Sequence, residues 1–216
     1  MSESISTLIN SENKGDRITA LNMLREIEPS IAFGYIKQLI TDNNTRVRYA
    51  AVSQLATLGS QNLTESLTIL RDRLVNDPEP DVQAAAADSI GALKLTDAFD
   101  DLQKLYETTP EWLVQFSIIA ALGELGDPRG LQLLQTALTN ETSLVQTAAI
   151  GSIGELGDAS GVASIVPFVT HPDWQIRYQL ARALRNLGGD LAAQNLAILA
   201  TDAVEQVAQE AQGISE

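Results

Sequence analysis

The phrase Val145-Gln-Thr-Ala-Ala-Ile-Gly-Ser-Ile-Gly-Glu-Leu-Gly-Asp158 constrains this chain more than any other feature, because its apolar pattern recurs along almost the whole sequence. Copies begin at Val47, Val82, Val114 and Ile176, and a worn one begins at Val207. The spacings between first residues are 35, 32, 31, 31 and 31. That is the period of a stacked helical-repeat array, in which each unit buries its apolar face only against its neighbours.

Within the phrase, Val145, Ala148, Ala149, Ser152, Ile153 and Leu156 form one helical stripe. The segment after each phrase is also amphipathic, as in Leu67, Leu70 and Leu74 or Leu131, Leu134 and Leu138, so each repeat reads as a helical hairpin. Gly59, Gly126, Gly157 and Gly188 stand where a left-handed residue ends a helix, and Asp127 and Asp158 can cap the next element. Pro128 suits a first helical turn, whereas Pro167 falls inside a predicted helix and is expected to bend or end it. The expected fold is all-α, a right-handed α-solenoid of about seven hairpins forming one domain over 1–216. The hairpins are placed at about 2–27, 30–58, 61–94, 97–125, 128–156, 159–187 and 190–213.

Charge and composition exclude several functions. With 28 acidic against 14 basic residues, the net charge of -14 disfavours nucleic acid, whose binding depends on Lys and Arg displacing counterions. The chain has no cysteine, so it offers no thiol nucleophile, disulfide or thiolate metal site. A lone histidine, His171, makes no multi-histidine site, and no metal is expected. No leader and no apolar run of roughly 18 residues is present, so membrane insertion is not expected and a cytoplasmic protein is.

The exposed positions of the repeated helix are where function is expected. They carry Arg48 and Tyr49, Gln83 and Asp88, Gln115, Phe116 and Glu124, Gln146 and Glu155, then Arg177, Tyr178, Arg182 and Arg185. The last three arginines are the only basic residues after Arg129 and form a positive group suited to carboxylates. Pairing with acidic side chains of adjacent repeats is the structural alternative. Trp112 and Trp174 each precede a repeated helix by two residues, while Tyr49, Phe116 and Tyr178 hold its third position. A ridge of Trp112, Phe116, Trp174 and Tyr178 suits a flat conjugated ligand or a protein surface, unless the rings pack between hairpins. Glu124, Tyr178 and His171 are weak candidates for proton transfer. Gly-Glu-Leu-Gly repetition accounts equally for Glu124 and Glu155, and a plain turn accounts for His171. The glycines lack the setting and the Lys-Ser/Thr pair of a phosphate loop, and no hydrolase triad stands out.

The repeated Val-Arg/Gln-x-x-Ala-x-x-x-Leu-x-x-Leu-Gly-Asp phrase resembles the short HEAT-like repeat of the phycobilin lyase group over nearly the full chain. Residues 43–49, 67–74, 76–88 and 111–124 look like the cyanobacterial phycobilisome-degradation proteins of that group. The resemblance implies dismantling of the phycobilisome under nutrient stress, with phycobiliproteins (phycocyanin, allophycocyanin) as partners beside other degradation factors, and location at the phycobilisome. It implies phycocyanobilin as ligand or substrate group, no separate cofactor, and either detachment of the pigment from its cysteine or adaptor-type recognition; a generic scaffold is the third reading. The aromatic ridge would hold the tetrapyrrole, and Arg177, Arg182 and Arg185, with Arg48 more remote, would meet its propionates. Gln83, Gln115 and Gln146 depart from the group, which often has arginine there.

Overall fold

The computed structural model describes residues 2–214. Seven helix pairs follow one another. Their first members are α1 (Ser2–Ile9), α3 (Pro29–Ile36), α5 (Leu63–Asn76), α7 (Phe99–Thr108), α9 (Gly130–Ala137), α11 (Val162–Ile165) and α13 (Asp190–Leu199). The second members, which carry the repeated phrase, are α2 (Lys14–Met23), α4 (Thr45–Leu58), α6 (Pro80–Ala92), α8 (Trp112–Leu125), α10 (Ser143–Leu156), α12 (Trp174–Leu187) and α14 (Glu205–Gln212). No strand occurs among the described residues, so the all-α helical-hairpin expectation holds. Two compact units divide the chain, Met1–Ser117 and Ile118–Glu216, with the boundary inside α8.

Helix stripes become the core of each unit. In the first, Val47, Leu55, Leu70, Leu74, Val82 and Ile90 are fully buried; in the second, Val145, Ile150, Ile153, Ile176, Leu180 and Val207 are. Each such side chain contributes about 1.5–3 kcal/mol of transfer free energy. Buried polar groups tie second helices together. The Ser89 hydroxyl donates to the Val52 carbonyl at 2.9 Å and Gln54 Nε2 to that of Leu21 at 3.0 Å, satisfying donors that would otherwise be costly to bury, while Gln54 Oε1 is buried with no partner among the described residues.

Glycine in the repeated phrase has two distinct reasons. Gly157 ends α10 at φ 75°, and Gly126 and Gly188 also have positive φ, at 70° and 66°. Gly154 instead lets α10 approach α12, because a Cβ there would lie 2.6 Å from Ala183 Cα. Gly59 overturns its expected left-handed role: its φ is -63°, and the chain continues into a short 3-10 turn, Gly59–Gln61. What requires a small residue there is crowding, since a Cβ would meet Leu93 Cδ1 at 2.6 Å and the Ser66 hydroxyl at 2.9 Å. Asp158 accepts from the Ser160 N–H at 2.9 Å, and Asp127 from that of Arg129 at 3.0 Å. Pro128 stands in the turn ahead of α9 rather than in its first turn. Pro167 acts as predicted: α11 stops at Ile165 and a 3-10 segment, Val166–Thr170, replaces it.

Candidate functional site

A single turn design sets which faces of the second helices are available. One residue per repeat, Ser11, Asp42, Asp77, Thr109, Asn140, His171 and Asp202, accepts with its side chain the backbone N–H two residues later, at 2.8 to 3.2 Å. That contact folds the chain into the start of the helix. Six residues after the turn residue, an arginine or glutamine reaches back to its carbonyl. Arg17, Arg48 and Arg177 donate to Ser11, Asp42 and His171 at 2.7, 2.9 and 2.6 Å. Gln115 and Gln146 donate to Thr109 and Asn140 at 3.0 and 2.8 Å.

The arginines also reach forward to the turn of the following repeat. Arg17 meets Asp42 at 2.6 Å, Arg48 meets Asp77 at 2.9 Å and Arg177 meets Asp202 at 2.6 Å, each as a two-nitrogen, two-oxygen fork. Bidentate geometry makes these the strong kind of ion pair. The Asp77 side chain is fully buried and also receives Arg73 at 3.0 Å. Hydrogen bonding by Asp77 raises the Arg48 pKa, and bonding by Asp202 raises that of Arg177. Reciprocally, the Arg177 guanidinium holds Asp202 below the usual carboxylate value.

Arg48 and Arg177 therefore brace adjacent repeats, the structural alternative for such arginines. A signal for this is present in the sequence. Where the residue at this place is Arg17, Arg48 or Arg177, the next turn residue is aspartate; where it is Gln83, Gln115 or Gln146, the next is Thr109, Asn140 or His171. The glutamines are half of a paired exchange, which an inspection of single helix faces misses.

The outward positions of the same helices form a groove in each unit. In the first, Tyr49 of α4, Asp81, Ala85 and Asp88 of α6 and Ser117 of α8, with Arg46, enclose about 520 Å³. In the second, Thr147 of α10, Trp174, Gln175, Tyr178 and Gln179 of α12 and Gln206 ahead of Val207 enclose about 500 Å³. The two grooves use the same register: Tyr49 and Tyr178 each follow a bracing arginine directly.

The other predicted residues scatter. Trp112 and Phe116 belong to the first unit and Trp174 and Tyr178 to the second, and of the four only the latter two line these grooves. Both tryptophans are nearly half exposed, Trp112 at 48% and Trp174 at 41%. Arg185 pairs with Glu210 at 2.8 Å. Arg182 is exposed, makes no ion pair among the described residues, and follows Tyr178 by one helical turn. His171 uses Nδ1 to accept the Asp173 N–H at 3.1 Å. Glu124 is exposed on α8 and lines neither groove. No group of three or more His, Cys, Asp or Glu among the described residues is arranged to hold a metal, and no described helix is long and apolar enough to cross a membrane.

No curated protein matches the chain. Solved structures do. The complex of CpcE and CpcF of phycocyanin lyase from Nostoc sp. PCC7120 is similar over 100% of this chain and 95% of that chain, at 21% identity and a TM-score of 0.66. Two engineered proteins are similar at 21% and 22% identity with TM-scores of 0.59 and 0.56, over 87% and 83% of this chain and 95% of each of theirs. These likenesses show a helical-repeat fold. The model of HEAT repeats matches residues 2–79, 67–152 and 137–215, and with nearly every residue so covered, the chain belongs to the HEAT-repeat family.

Proposed function

We propose that this protein acts in phycobilisome degradation, binding phycobiliproteins and detaching phycocyanobilin, in the manner of the cyanobacterial protein NblB that its sequence resembles. The observation that carries the reading is the second unit's groove. Two aromatic side chains, Trp174 and Tyr178, stand beside the carboxamides of Gln175, Gln179 and Gln206 in about 500 Å³. Rings suit the conjugated face of a tetrapyrrole, and carboxamides suit the C=O and N–H edges of its lactam rings. Arg182, one turn past Tyr178, supplies a guanidinium for a propionate. The fold shared with the CpcE and CpcF complex of phycocyanin lyase supports the same substrate class.

Detachment is an elimination. The carbon–sulfur bond breaks, a double bond forms on the bilin, a base takes the proton from the adjacent carbon, and the cysteine sulfur leaves as thiolate. Of the three proton-transfer candidates, only Tyr178 lines the groove. That same observation favours the second reading, an adaptor that holds the phycobiliprotein for other factors, because one phenol, beside an Asp173 carboxylate that already accepts the Gln175 N–H at the start of α12, is a sparse acid–base apparatus.

Purified protein mixed with phycocyanin distinguishes the readings. Visible absorbance reports binding, and spectra after acid denaturation report the covalent link. Loss of covalent pigment with time supports detachment. Complex formation with every bilin still attached supports the adaptor and removes the lyase-like reading. Absence of a complex overturns both.

A further inference from the structure

We propose that the groove of the first unit receives a basic side chain, a lysine or arginine on an extended segment of a protein partner, with its cation over the Tyr49 ring and in the field of the Asp81 and Asp88 carboxylates that flank it. The Tyr49 ring is 48% exposed at the mouth of the groove. Asp81 and Asp88 are both exposed and seven residues apart on α6, two turns along one face. Between them, buried Ala84 and Ala85 make a floor of small side chains on which an extended backbone can lie.

An aromatic face attracts a cation through its quadrupole, most often that of an arginine, and neighbouring carboxylates complete the charge match. The wider field acts in the same direction, since a net charge of -14 steers cations toward the surface. Arg46, also on the groove, opposes this attraction and gives the proposal a countersigned test. The second unit's groove has one carboxylate, Asp173, which accepts the Gln175 N–H at 2.9 Å, beside three carboxamides, whereas this one has two carboxylates and no carboxamide, so the two differ in the chemistry they favour. This inference does not depend on the pigment reading.

The probe is the peptide acetyl-Gly-Arg-Gly-Arg-Gly-amide, titrated into the ¹⁵N-labelled full chain with amide shifts giving both Kd and location. Shifts should centre on residues 45–49 and 81–88. Asp81→Asn with Asp88→Asn should weaken binding about fivefold, Tyr49→Ala about threefold, and Arg46→Gln should tighten it about twofold. A control, Glu107→Gln with Glu111→Gln, removes equal charge outside the groove and should leave Kd within error. The proposal is overturned if the control weakens binding as much as the groove pair does, if shifts centre elsewhere, or if spermidine competes at equal affinity, which marks a diffuse cation trap. Should the double aspartate variant fail to fold, the opposed effects of Tyr49→Ala and Arg46→Gln decide the matter.

Discussion

From their third residues, helices α4 and α12 carry equivalent side chains, Val47-Arg48-Tyr49 and Ile176-Arg177-Tyr178, and the first three steps of their folding logic are the same. The aliphatic residue is buried, the arginine braces the next repeat, and the tyrosine faces a groove. What differs is the setting. Tyr49 faces carboxylates across from it, whereas Tyr178 has Trp174 and three glutamines around it. Adjacent residues on one helix can thus be assigned to bracing and to recognition, and the Arg-Tyr step shared by α4 and α12 marks the brace while leaving the ligand to the neighbours.

The largest effect expected is on the braces. Asp77→Ala strands a buried guanidinium and should cost about 3–5 kcal/mol in urea unfolding. Asp202→Ala should cost less, about 1–3 kcal/mol, because the Arg177–Asp202 pair is slightly more exposed, at 15% and 9% against 10% and 0% for Arg48–Asp77. Equal losses would remove the distinction between the two.

The second brace also predicts a pH dependence. Asp202 has a lowered pKa in the folded protein, chiefly through its bond from Arg177. Its contribution is therefore present above the usual aspartate value of 3.8 and lost as pH falls through the lower folded value. Stability curves of the wild type and Asp202→Asn should run apart at neutral pH and converge only below about pH 4. Convergence at pH 6 would mean the pair does not stabilise.

A next, smaller effect tests the paired exchange. Gln146→Arg together with His171→Asp rebuilds in the second unit the brace seen at Arg48 and Asp77. A double-mutant cycle should give a favourable coupling of about 1–2 kcal/mol. Coupling near zero would show that the exchange of partners is incidental.

Smaller still are the recognition effects. Trp174→Ala should weaken phycocyanin binding about fivefold, while Tyr49→Ala leaves it unchanged. Arg182→Gln should weaken it about twofold with no change in the unfolding midpoint. If the tyrosine change and the tryptophan change act alike on phycocyanin, the two grooves do not divide the work.

Much of this was legible before any coordinates. The 31-residue period and the stripe of Val145, Ala149 and Ile153 specify helical hairpins because burial of a helix face depends on pattern alone. The grooves are legible in part: Tyr49, Trp174 and Tyr178 line them, but Gln175, Gln179, Asp81 and Ala85 carry no signal in the sequence because none is chemically distinctive alone. The arginines were misleading for a physical reason. A guanidinium on an exposed helix position looks the same in sequence whether it meets solvent, as Arg182 does, or turns to a neighbouring aspartate, as Arg48 and Arg177 do. Only the partner, 29 or 25 residues away, decides.

The backward reach from helix to turn also says where this chain can gain or lose residues. The six-residue interval recurs in Arg17, Arg48, Gln115, Gln146 and Arg177, so an insertion inside it would uncouple the helix from its own turn. The stretch from one turn to the next has no such ruler. Its one long version, the spacing of 35 from Val47 to Val82, includes the fourteen-residue α5 where α3 and α9 have eight. The excess over 31 is four residues there and one in the next interval, Val82 to Val114, and so the first-helix segment of a repeat can take up added residues without disturbing the frame in which the second helix is read.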